Sequence, residues 1–189
     1  MLFHRLTAPM RDGRPVEDAL AALCDAAGPR QHGSAEAAAA AVAVLSKLGV
    51  DASVVPVGTL VMNRVANSRV AAGDNLQTLM AQSRTRPRSP DSAWLAHSGS
   101  AAHHVVRCGG WLLDLAVDDY AAPDAGFSPS PLLVQVPDDF WAGSEAVFLA
   151  GDDGSSIWMW VIAGGGTPPD PATVHNLVDV WTVAAAPGQ

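Results

Sequence analysis

The apolar positions of this chain change period several times, and each change marks an element. Val16, Ala19, Leu20, Leu23 and Cys24 recur at the three- and four-residue spacing of one helix face. Pro15 suits a first helical turn and Gly28-Pro29 stops the run, which predicts a helix between them. A second helix is predicted from Ser34, with Ala38, Ala41, Val42, Leu45 and Leu48 as its apolar stripe and Gly49 just past its end. Ser34 reads as its N-cap, and Glu36 places negative charge in the first turn, where the helix dipole favours it. The alanines of the stripe let a neighbouring sheet or helix approach closely.

Period two takes over at Val50. Residues 50–65 alternate in strand fashion, but Pro56 and Gly58 interrupt them, predicting two strands or one edge strand with a bulge. Leu76, Leu79 and Met80 give residues 66–82 a short helical pattern, and the polar, proline-bearing run 83–92 reads as a mobile surface loop. His103 to Arg107 and Trp111 to Val117 read as the strands of a hairpin turning at Gly109-Gly110. Further strands are predicted at 132–136, 146–150 and 156–163, with Gly151 to Gly154 as the turn between the last two. Trp158, Trp160 and Ile162 share one face of the last strand, and Ile157, Met159 and Val161 the other, so it is predicted to be central. Pro171 opens a short final helix with Val174, Leu177, Val178 and Trp181 as its buried stripe. Together these elements predict one α+β domain over 1–189, a helix packed against an antiparallel sheet.

Composition narrows the function classes. The chain has 189 residues, 49% of them hydrophobic, enough for a packed core, although much of the apolar content is alanine. A formal net charge of −8 argues against non-specific nucleic-acid binding, because an acidic surface repels phosphate. The run Ser83 to Arg88 is the local exception, a solvated loop or an arm for an acidic partner. The longest apolar runs, Ala37 to Leu45 and Ile157 to Ala163, are too short to span a bilayer, and the first residues lack a signal-peptide pattern. A cytoplasmic location with no membrane partner is the expectation. Cys24 and Cys108 lack zinc-site spacing; Cys24 reads as a core residue, Cys108 as a turn residue exposed enough to react. A metal held by His97, His103, His104 and Asp114 is disfavoured because the tandem histidines point apart, and neither metal nor cofactor is expected.

One constellation carries chemistry. Ser34 follows Gly33 at a helix start, His104 lies on a strand, and Asp114 lies on the strand paired with it. Acyl transfer needs a nucleophile, a base within reach and a carboxylate that fixes the base's tautomer. A helix N-terminus suits the nucleophile, because its N–H groups and dipole stabilise developing negative charge. His103 is the alternative base, since adjacent strand residues face opposite ways. Asp114 stands out because a bare carboxylate inside an apolar strand is costly; backbone groups or Arg107 are its other partners by sequence. Gln31, His32, His103 and Trp111 are the oxyanion or pocket candidates.

The segment from Ser34 through the Ala-rich helix to LGVDASVVPV resembles the nucleophile helix and following strand of transglutaminase-like proteins, and HHVVRCGGWLLDL resembles their histidine–aspartate hairpin. GSAE at 33–36 is a loose echo of the cysteine motif of the arylamine N-acetyltransferases, which share the scaffold. The resemblance covers roughly residues 30–65 and 95–120. It implies a papain-like fold, an acyl-transfer or amide-hydrolysing reaction on a protein or small acyl or amide substrate, and catalytic roles for Ser34, His104 and Asp114. Serine stands where the family has cysteine, and a hydroxyl needs far more base assistance than a thiol. The serine can mark a true serine variant, a non-catalytic member that binds through the cleft, or a replacement that silences the enzyme. A non-enzymatic binding protein on the same fold is therefore the alternative, using the cleft or the arginines at 84–88; a structural part of a larger assembly is a third.

Overall fold

The computed structural model describes residues 15–28, 33–63, 68–72, 94–96, 103–116, 131–143, 146–150, 156–165 and 168–186. Their architecture is α+β, with helices on one face of a curled, largely antiparallel sheet. Helix α1 spans Val16–Ala27 and α2 spans Ser34–Lys47. Strands β1 (Ser53–Asn63), β2 (Ser68–Ala72), β3 (Trp94–Ala96), β4 (His103–Cys108), β5 (Trp111–Asp114) and β6 (Leu132–Gln135) follow. A single turn of helix, α3 (Asp138–Trp141), precedes β7 (Val147–Ala150) and β8 (Ser156–Ile162), and α4 (Pro171–Ala185) ends the described chain.

The two leading helices end as their glycines dictate. Gly28 adopts φ +50°, and its amide donates to the Cys24 carbonyl. At the end of α2, Gly49 takes φ +80° and donates to Ser46, while Val50 donates to Leu45. This is a Schellman closure, which turns the chain directly into β1 and buries Val50 in the helix-side core. The start of α2 departs from expectation. Gly33 occupies the N-cap position and its carbonyl accepts from Ala37, so Ser34 is the first helical residue and makes no capping bond.

Strand β1 is the hub of the sheet. It is one continuous strand of 11 residues, not two, pairing with β4 through Ser53 to Val57 and with β8 through Val57 to Asn63. Its last five residues also pair with β2. Pro56 has no N–H to offer, but its carbonyl accepts from Ala163, extending the β8 ladder. Residues 68–72 form a strand, and the short helical pattern expected from Leu76, Leu79 and Met80 lies outside the described residues. The loop expected at 83–92 lies outside the described residues. As expected, β8 is central, flanked by β1 and β7. The final helix is longer than the short one expected, and Asp170 caps it by accepting from the Thr173 amide and hydroxyl.

Two cores result from the sheet's alternation. On the helix side, Leu20, Leu23, Ala41, Leu45 and Trp181 pack against Val106, Cys108 and Leu113. On the other side, Val57, Val105, Leu112, Phe140, Trp158 and Trp160 fill the curl of the sheet. Burying a large aliphatic or aromatic side chain in either contributes about 1.5–3 kcal/mol before entropy is counted. Among the described residues no helix is long and apolar enough to cross a membrane.

Candidate active site

Helix α2 and strand β4 meet at their N-terminal ends. Ala37, Ala38, Ala40 and Ala41 of the helix are each at most 2% exposed, within the helix-side core. Where α2 packs on β4, Ser34 Oγ comes within 3.5 Å of His104 Nδ1. That is long for a formed hydrogen bond and within the looser spacing of a nucleophile and base without bound substrate. For Nδ1 to accept, the ring proton must reside on Nε2. Among the described residues no carboxylate contacts that nitrogen.

His104 is nearly enclosed, at 8% exposed. Burial lowers its pKa below the ordinary imidazole value, neighbouring His103 adds to the effect, and the Glu36 carboxylate opposes it. Its neutral, basic form therefore dominates at pH 7. The first-turn amides of α2 have no intrahelical acceptors and point toward the same end as Ser34. Glu36 spans from that turn to accept from the Asp170 amide at 3.0 Å, tying the start of α2 to the start of α4.

A cavity of about 430 Å³ opens beside the pair. Ala35 and Ala39 line it from α2, Val54 and Pro56 from β1, and His104 from β4. The segment entering α4 closes it with Gly165, Pro168 and Pro169. Pro56 lies directly across the ladder from His104, which accounts for their sharing this wall.

Asp114 is not part of this arrangement. Cys108 pairs with Trp111 and Val106 with Leu113, and the next step of the ladder sets Asp114 beside Val105, on the face away from α2. There Asp114 accepts from His103 Nε2 at 2.9 Å and from Trp160 Nε1 at 3.1 Å, with the His103 and Asp114 side chains fully buried. The expected orientation of His104 by Asp114 is corrected accordingly: the carboxylate holds the other histidine. His103 thus belongs to the inner core, not the cleft. The same signal was available in the sequence, since a two-residue Gly109-Gly110 turn fixes the parity of the hairpin. Arg107, the other sequence candidate for Asp114, instead lies over the Trp141 ring, 5.2 Å from its centroid.

The remaining candidates fall into place as follows. Trp111 packs against the helix-side core and does not line the cavity. Gln31, His32 and His97 lie outside the described residues. Cys108 is buried, not exposed, with its thiol pushed up to about 11, and burial pushes the Cys24 thiol up to about 12, so neither supplies a thiolate near neutral pH. Among the described residues, no group of three or more His, Cys, Asp or Glu side chains is placed to hold a metal ion. The wall residues Val54, Pro56 and Ala39, silent in the sequence, are what the structure adds to the site. No protein-family model matches the chain, and neither does any curated protein or solved structure.

Proposed function

We propose that this chain is an acyl-transfer or amide- or ester-hydrolysing domain of papain-like, transglutaminase-like character, working through a Ser34–His104 dyad. The observation that carries this reading is the 3.5 Å approach of the Ser34 hydroxyl to the buried His104 at a helix N-terminus. Ser34 owes no bond to helix capping, so its hydroxyl is available. The helix-on-sheet architecture and the order of nucleophile helix, then histidine strand, support the papain-like comparison.

In the reaction, Ser34 Oγ attacks the substrate carbonyl while His104 Nδ1 takes its proton. The oxyanion develops against the first-turn amides of α2, with the helix dipole favouring its charge. Collapse expels the leaving group, which takes the proton from His104, and leaves an acyl ester on Ser34. Water or an amine then attacks that ester, returning the proton to Ser34 through His104. With no carboxylate on Nε2 among the described residues, the reactive tautomer is held less firmly than in a full triad, so a modest rate is expected.

An alkyl fluorophosphonate tests this directly. It should modify Ser34, as mapped by peptide mass spectrometry, and His104→Ala should slow modification about 10²–10⁴-fold. Absence of modification at Ser34, or equal rates with and without His104, overturns the catalytic reading. That no carboxylate among the described residues bonds His104 favours a second reading, a binding protein that uses the same cleft. Under it, Ser34→Ala would leave ligand affinity unchanged and the chain would show no turnover.

A further inference from the structure

We infer that the cavity beside Ser34 and His104 is a subsite for a short, uncharged aliphatic chain, the acyl part of the substrate. The inference rests on the dyad reading, because it assigns where the group attached to the reacting carbonyl goes. Three properties of the wall point to this chemistry.

The first is size. The space exists because Ala35, Ala39 and Gly165 stop short of it, and about 430 Å³ is near the lower end for small-molecule sites. The second is polarity. Apart from His104, every side chain lining the cavity is aliphatic or proline, so a chain of methylenes gains burial at no polar cost. The third is charge. Among the described residues no Lys or Arg lines the cavity, and the nearby carboxylate of Glu36 acts on His104 through its negative charge. An anionic group seated within the cavity, away from the first-turn amides of α2, would lose its hydration without gaining a partner among these residues. The described wall also lacks an aromatic face, which removes the stacking that planar rings and quaternary ammonium groups use. His104 lies in this wall at the mouth of the reacting pair, so a chain seated between Ala39 and Val54 directs its carbonyl carbon toward Ser34.

Butanamide, hexanamide and hexanoate test the subsite by titration of the full chain and of its Ser34→Ala variant, which the dyad reading leaves unable to cleave an amide, while the His104 ring resonances are followed by NMR. Hexanamide should bind and perturb those resonances. Affinity should rise about fourfold per added methylene between butanamide and hexanamide. Hexanoate should bind at least tenfold more weakly than hexanamide. Ala39→Leu, which fills the cavity, should weaken hexanamide at least tenfold. Val54→Phe, made at a partly exposed position that folding tolerates more readily, should do the same. Equal binding of hexanoate, no dependence on chain length, or unchanged hexanamide affinity in both folded variants overturns the inference. Ser34→Ala separates this result from the catalytic reading, since hexanamide binding should survive it. Amide binding without fluorophosphonate modification of Ser34 would remove the catalysis and leave the subsite. Modification of Ser34 without amide binding would do the reverse.

Discussion

His103 and His104 are neighbours in sequence and occupy opposite worlds. His103 points into the curl of the sheet, where a buried carboxylate accepts its proton and an indole holds that carboxylate in turn. His104 points toward α2, where its partner is a hydroxyl and its surroundings include an open cavity. The difference comes from strand geometry alone, since successive side chains leave a sheet on opposite faces. Ser34, His103, His104 and Asp114 are thus divided between the two faces into a His103–Asp114 pair and a Ser34–His104 pair. A carboxylate near a histidine in sequence order is therefore no evidence of catalysis until the face is known.

The sharpest break of this contrast is at Asp114. Asp114→Ala should cost about 3–5 kcal/mol of stability, measured by denaturant unfolding, because it removes the buried carboxylate to which His103 Nε2 and Trp160 Nε1 both donate. Fluorophosphonate modification of Ser34 in the fraction that remains folded should be nearly unchanged. A large loss of that reactivity in folded protein would mean that Asp114 serves His104 after all. Trp160→Phe should cost less, about 1–3 kcal/mol, by removing one donor to the carboxylate while keeping most of the apolar bulk. Near-neutral stability of this variant would show that the indole bond contributes little.

The smallest effect is expected from pH, and it falls on the other histidine. His104 has a folded-state pKa below its unfolded value, so the unfolded chain binds more protons as the pH drops through 6.5. Stability contributed by the neutral ring is present above that point and declines below it, until the folded pKa is also passed. The rate of Ser34 modification should follow the same group, with an acid limb centred below 6.5. His104→Gln should flatten both profiles. An acid limb that persists in that variant would assign the titration to another group.

Much of the architecture was legible because local signals agreed. Gly28 and Gly49 ended their helices, Gly109-Gly110 turned its hairpin, and the doubly apolar β8 lay in the middle of the sheet. Strand β2 was not legible: its sequence, SRVAA, has no alternating apolar face, and its pairing with β1 is what makes it a strand. The site was legible by half. Ser34 and His104 could be matched because a helix start and a strand histidine are local features. The partner of Asp114 follows from the hairpin's register, not from residue type, and the register sets it on the His103 face. The cavity was invisible, since Ala39, Val54 and Pro56 look like ordinary filler until α2, β1 and the entry to α4 converge around them.

The alanines of α2 have a further consequence. Ala37, Ala38, Ala40 and Ala41 do not line the cavity, yet at these core positions α2 offers its neighbours nothing larger than a methyl group. They act as a gauge block for the seat of the helix. A larger residue at any of them would shift the helix and change the Ser34–His104 gap while the hydrophobic core remained full. Selection on this site would therefore fall on side-chain volume at remote positions, and drift from alanine to valine there would erode chemistry sooner than it eroded the fold.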